Sequence, residues 1–342
     1  MQAAVFVDDR NIELQNLPKP TPAPHEVLVK VAACGVCGTD VHIYHGHLQH
    51  EVQPPVVPGH EIAGVIDSVG SDVTYFRKGQ NVCVDPVVAC GCCRYCRIAR
   101  PNLCPNLATI GYVRNGGFAQ FTAAPAANIY PLDPDTPATA GILVETLACV
   151  LNGYEKLALR PGQTAMVLGA GTVGLLWTQL LRQSPVSLLI VSEPVAFRRD
   201  RAARLGPDLV VDPANEDLRQ RALDHAPEGI DYIIDASGDP AAVAQGIDLV
   251  AKSGTFVVFG ICPPDATVAI NPHQIYQKEM RIVGSKMPPY SLQRASQMVQ
   301  AGMIDHENIV TDLMPLSELP AALDLFESAR DRHVKMAIDP WA

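Results

Sequence analysis

The sequence predicts an α/β protein in two parts, a mostly β lobe followed by a doubly wound parallel-sheet domain. Short apolar runs separated by Pro and Gly fill the first 150 residues, and strand-like and helix-like segments alternate from Thr164 onward. At the first strand-to-helix junction of that second part stands Gly169-Ala170-Gly171-Thr172-Val173-Gly174. At 342 residues the chain exceeds one hydrophobic core, which agrees with two domains.

Taken in order, residues 1–7 read as a first strand, stopped by Asp8-Asp9-Arg10. Residues 27–31 and 64–69 are β-rich runs, with loops at Pro54-Pro55, Pro58-Gly59 and Gly116-Gly117. No stretch of this lobe sustains a helical period. Beyond it, strands over 165–168, 188–191, 209–211, 230–235 and 255–259 alternate with helices that include 173–182 and 198–205. Such alternation implies a parallel sheet with helices on both faces. After Pro288-Pro289 come a helical segment and a last strand over 334–338, which could rejoin the β lobe.

Composition excludes several functions. A net charge of −10 without a polybasic run disfavours nucleic acid and anionic membrane as partners. Hydrophobic residues at 48% argue for a fully globular chain. Apolar runs such as Leu188-Leu189-Ile190-Val191 are too short to span a bilayer, and no targeting segment is visible, so a soluble, cytoplasmic protein is expected.

Cys90, Cys93, Cys96 and Cys104 fall in the register C-x2-C-x2-C-x7-C, which lets one lobe wrap four thiolates around a tetrahedral ion. A disulfide framework is the other arrangement that such crowding allows. Without a secretory signal, metal is favoured, and a structural zinc is expected. Cys92 is out of register and is not expected to ligate.

The glycine run closes a strand and opens a helix, which makes it a dinucleotide-binding candidate rather than an ordinary glycine-rich turn. Gly169 permits the tight turn, Gly171 lets the backbone approach a pyrophosphate, and Gly174 lets helix and strand pack closely. Thr172 and Val173 begin the helix, whose N-terminal N–H groups suit phosphates. Glu193, at the end of the second strand, would accept hydrogen bonds from the adenosine ribose and repel a 2′-phosphate, favouring NAD over NADP. Arg198 and Arg199 are either partners for such a phosphate or a solvated helix face. The dinucleotide domain is placed at 151–287, and the β lobe at 1–150 with 288–342 returning to it.

A third constellation is dispersed: Cys37-Gly38-Thr39-Asp40-Val41-His42, Gly59-His60-Glu61 and Glu145. Thiolate, imidazole and carboxylate from one lobe suit a zinc with an open position. Together with Pro58, Gly116-Gly117-Phe118-Ala119, the four-cysteine lobe and the glycine loop, in this order, the chain resembles the zinc-dependent medium-chain dehydrogenases/reductases of the alcohol dehydrogenase superfamily. The resemblance covers nearly all of it and is near the polyol, sorbitol-type branch.

The resemblance implies a GroES-like β lobe, a Rossmann domain, and a cleft holding nicotinamide against zinc. It implies that Cys37 and His60 bind the catalytic zinc, with Glu61 in or beside the ligand set. Glu145 matches the acid that ligates zinc or holds its water in polyol and threonine dehydrogenases. Asp40 would fix the His60 ring, Thr39 would begin a proton relay and His42 would pass the proton outward; otherwise His42 is a surface histidine. His45, His47 and His50 read as exposed loop residues. Thr146, where the polyol branch usually has proline, and Gln120, where an acid is common, depart from the pattern.

The expected reaction is reversible oxidation of a secondary alcohol of a polyol, sugar alcohol or cyclitol to a ketone, with hydride passed to NAD. One alternative is a threonine-type amino-alcohol dehydrogenase, which needs a cation for the substrate carboxylate, with Lys286 or Arg281 as candidates. From a different class comes a non-catalytic zinc- and nucleotide-binding homologue. The resemblance also implies a homodimer or homotetramer paired edge to edge, with that edge expected at 255–261.

Overall fold

Strand β1 (Gln2–Asp8) turns through Arg10, whose φ is 59°, into β2 (Asn11–Asn16), and the two pair antiparallel. The structure is a computed structural model that describes residues 1–46 and 52–342. His47 and His50 lie outside the described residues. His45, expected to be exposed, is the half-buried residue at the C-terminal end of the first helix.

The chain divides into two units, Met1–Ala148 with Pro288–Ala342, and Cys149–Met287. In the first, β3 (Glu26–Gly35) is followed by helix α1 (Gly38–Tyr44), β4 (Glu61–Val69) and β5 (Asn81–Val84). The short α2 (Arg94–Arg97), β6 (Phe121–Pro125), β7 (Ile129–Pro131), α3 (Ala138–Gly141) and α4 (Leu143–Tyr154) complete this stretch. β3 is buried along almost its whole length because strands pair with it on both edges.

The sequence reading left no helix of this length in the lobe, and α4 corrects it. Leu143, Val144, Leu147, Ala148 and Val150 are all fully buried. Its polar side, carrying Glu145, Thr146 and Asn152, is buried as well, so neither face of this helix meets solvent.

The second unit alternates β8 (Thr164–Leu168), α5 (Thr172–Arg182), β9 (Leu188–Ser192), α6 (Ala196–Arg204), β10 (Leu209–Val211) and α7 (Leu218–His225). It continues with β11 (Ile230–Asp235), α8 (Pro240–Leu249), β12 (Val250–Val258), α9 (Pro272–Lys278) and β13 (Arg281–Gly284). The sheet is parallel in the order β10-β9-β8-β11-β12-β13, the doubly wound Rossmann arrangement. Its switch point lies between β8 and β11, where a ligand crevice forms beyond the strand ends. Met166, Ile190, Ile233 and Phe256 fill its core. The edge expected at 255–261 is not an edge. β12 pairs with β11 on one side and β13 on the other, so its backbone groups are used, and β13 is the terminal strand.

The chain then returns with α10 (Leu292–Gln300), β14 (Val310–Pro315), α11 (Leu319–Ser328) and β15 (Lys335–Asp339). β15 pairs antiparallel with β3, which completes the sheet β14-β15-β3-β4-β5-β7 with β6 also on β3. Val29, Ile62, Phe118 and Ile338, from separate segments, share one core. This GroES-like lobe and the Rossmann unit make up the fold. Among the described residues no helix is long and apolar enough to cross a membrane.

Candidate metal and cofactor sites

The cysteine lobe is built from a loop, one helical turn and a 3-10 turn. Cys93 caps α2 and accepts the Cys96 N–H at 3.5 Å, while Cys104 follows the turn Pro101–Leu103. The Sγ atoms of Cys93 and Cys96 are 3.5 Å apart, those of Cys90 and Cys104 3.5 Å, and those of Cys90 and Cys96 4.0 Å. A tetrahedral zinc with bonds of about 2.3 Å requires sulfur–sulfur edges of about 3.8 Å, so the four fit the ion. Without an ion the four thiols share their protons unevenly: the backbone N–H groups of Cys92 and Cys93 bring the Cys90 thiol down to about 6, while burial and the neighbouring thiols push Cys96 up to about 12. Cys92 lies 3.8 Å from Cys90 but is not one of the four convergent donors.

In the same unit Cys37 Sγ, a His60 ring nitrogen and a Glu61 carboxylate oxygen lie within 4.8 Å of one another. The helix α1 arranges part of this. Cys37 stands at its N-cap and Asp40 at its third position, where Asp40 Oδ2 accepts the Cys37 N–H at 2.9 Å. Asp40 Oδ1 is 3.5 Å from His60 Nδ1. Three donors of these kinds, with Asp40 behind the imidazole, fit a zinc that keeps a position open.

Glu145, in the first turn of α4, is buried but is not one of those three donors. It lies near Asp85, whose carboxyl is pushed up to about 7 by burial, with the Glu145 charge adding to the effect. Thr39 Oγ1 is 3.7 Å from Cys37 Sγ, and His42 stands in the last turn of α1.

Three further neighbours complete the surroundings, and two of them, Tyr112 and Lys335, had no signal in the sequence. Tyr112 shares a hydrogen bond with Thr39 and sets its ring edge-on to His60, with centroids 5.6 Å apart; burial pushes its hydroxyl above the ordinary tyrosine range. Lys335 forms an ion pair with Glu61 Oε2, and Thr146 donates to Glu61 Oε1 at 2.8 Å. Only the unusual residue type at Thr146 was visible beforehand.

In the Rossmann unit Gly169 has φ +95°, a conformation that favours glycine, and follows β8 at the switch point. Gly171 caps α5 without a side-chain hydrogen bond, and Thr172 and Val173 open the helix, so its first N–H groups suit a phosphate. A Cβ on Gly174 would fall 1.9 Å from the Gly169 carbonyl oxygen. Glu193 binds the loop itself: Oε2 accepts the Ala170 N–H at 2.6 Å and Oε1 the Val195 N–H at 2.9 Å. Arg199 is occupied with the carbonyls of Glu193 and Pro194 and with Asp212. Arg198 Nη1 comes within 3.8 Å of where a Gly171 Cβ would stand, at the mouth of the loop. Arg281 donates to the Lys156 carbonyl at 2.6 Å from the edge strand β13.

Comparison with known proteins agrees with both halves. Residues 23–134 match the alcohol dehydrogenase GroES-like domain family, and residues 172–303 the zinc-binding dehydrogenase family. The chain is 33% identical over 323 residues to D-altritol 5-dehydrogenase of Agrobacterium fabrum, covering 93% of this chain and 94% of that protein. It is 32% identical over 306 residues to L-threonine 3-dehydrogenase of Pyrococcus horikoshii, covering 87% of each. A crystal structure described as a zinc-binding dehydrogenase from Sinorhizobium meliloti 1021, bound to NADP, superposes with a TM-score of 0.95 at 33% identity and 99% coverage of both chains.

Proposed function

Because this chain belongs to the zinc-dependent medium-chain dehydrogenases/reductases of the alcohol dehydrogenase superfamily, we propose that it reversibly oxidises a secondary alcohol of a polyol, sugar alcohol or cyclitol to a ketone. The convergence of Cys37, His60 and Glu61 carries this reading. Zinc held there would supply Lewis acidity toward the hydroxyl oxygen, and NAD held by the Rossmann unit would supply the hydride acceptor.

The chain's own residues do the rest. Cys37, His60 and Glu61 hold the ion, and Asp40 orients the imidazole. Glu145 stands by as the carboxylate for the ion or its water. Thr39 Oγ1 accepts the substrate proton and hands it to His42, with Tyr112 fixing the Thr39 hydroxyl. Cys90, Cys93, Cys96 and Cys104 hold a second, structural zinc.

Gly169, Gly171, Thr172, Val173 and Gly174 receive the pyrophosphate, and Arg198 lies beside it. Glu193, although both its oxygens accept N–H groups of the loop, keeps an acid at the end of β9, which supports a preference for NAD over NADP. Against the threonine-type reading stands Arg281, which is engaged with a backbone carbonyl rather than offered to a carboxylate. A homodimer or homotetramer in the cytoplasm completes the proposal.

The test is cofactor reduction, followed by near-ultraviolet absorbance, with NAD and NADP against polyols, cyclitols, L-threonine and simple secondary alcohols, before and after chelation. Chelator-sensitive NADH formation on a polyol or cyclitol is expected. Turnover of L-threonine alone would move the chain to the amino-alcohol class, and bound zinc and cofactor with no turnover on any substrate would point to a non-catalytic homologue.

A further inference from the structure

Glu61 is gripped at both oxygens. Thr146 Oγ1 donates to Oε1 at 2.8 Å, and the Lys335 ammonium pairs with Oε2. The pair is sealed from water, with Lys335 2% and Glu61 1% exposed. Lys335 is itself anchored, donating to the Val36 carbonyl at 2.9 Å. There is no slack beneath: a Cβ on Gly35 would fall 2.0 Å from Glu61 Oε2 and 2.8 Å from Lys335 Cε.

We propose that Thr146 and Lys335 are positioning residues that clamp the Glu61 carboxylate beside Cys37 and His60, and so set the affinity and ligand field of the metal there. The inference rests on reading that cluster as a zinc site. A carboxylate tied at both ends cannot rotate, so it meets the ion without ordering cost and keeps one lone-pair direction for it. Lys335 also offsets a charge that would otherwise stand unpaired in the interior. The hydroxyl of Thr146 makes a tie that proline, usual at this position in the polyol branch, has no donor to make.

Removing Lys335 strands a buried carboxylate and risks the fold, so the primary variant is Thr146→Val, which removes a hydroxyl and keeps the shape. The purified full chain is titrated with zinc against a chromophoric chelator, and its cobalt-substituted form is examined by visible absorption. Thr146→Val is expected to weaken one of two metal equivalents about tenfold and to shift the cobalt bands, with Thr146→Ser restoring both. Unchanged affinity and bands in Thr146→Val would overturn the clamp. If instead the wild type takes up one equivalent only, and Cys37→Ser takes up the same, the zinc reading of the cluster fails and the clamp with it.

Discussion

Asp40 and His60 meet at 3.5 Å, Oδ1 to Nδ1, while the other Asp40 oxygen accepts the Cys37 N–H at 2.9 Å. One carboxylate therefore controls two candidate ligands, through a helix cap on one and a ring contact on the other.

Asp40→Asn keeps an acceptor for the cap but loses the charge behind the imidazole. It is expected to lower kcat/KM by about 10–100-fold with little change in thermal midpoint. Asp40→Ala should in addition cost about 1 kcal/mol of stability through the lost cap. Steady-state kinetics paired with thermal melts check this; equal melting losses in both variants would contradict it.

The two metal sites should fail differently. Cys37→Ser or His60→Ala is expected to abolish turnover while circular dichroism and melting stay near wild type. Cys96→Ser or Cys104→Ser should instead lower stability or soluble yield, because a closed four-thiolate site contributes folding energy. Turnover surviving in the first pair would remove Cys37 or His60 from the catalytic set.

Gly174→Ala places a methyl 1.9 Å from the Gly169 carbonyl oxygen. The loop must shift, at about 1–3 kcal/mol, and NADH affinity followed by fluorescence should fall. Gly284→Ala, with nothing within 4 Å of its Cβ, serves as the tolerated control.

Glu26 gives the acid response a named contributor. Burial pushes its carboxyl up from 4.5, but the Ala23 N–H and the Arg114 guanidinium outweigh burial and hold it below that value. The native state thus binds this proton less readily than the unfolded chain. The stabilisation is present above the unfolded value and is lost as pH falls through the native one. Glu26→Gln should be less stable than wild type at neutral pH and should show a smaller decline in thermal midpoint on acidification. Parallel declines would rule the pair out.

The sequence by itself determined the local devices. The cysteine register and the glycine loop lie within short stretches, where spacing alone dictates what a tetrahedral ion or a pyrophosphate can reach. The alternation of segments likewise revealed the Rossmann unit, because each strand and helix carries its own burial pattern. Only the tertiary structure decided that β13 and not β12 is the sheet edge, since pairing depends on strand order and not on composition. It alone showed that α4 is buried on its polar side too, at Glu145, Thr146 and Asn152, because folding and not the sequence pattern decides which faces meet solvent. The grip on Glu61 was equally invisible: Thr146 reaches it across 85 positions, and Lys335 holds Val36 across 299. Such contacts form when β15 pairs with β3 and folding brings distant segments into one buried, low-dielectric space, and no periodicity along the chain records them.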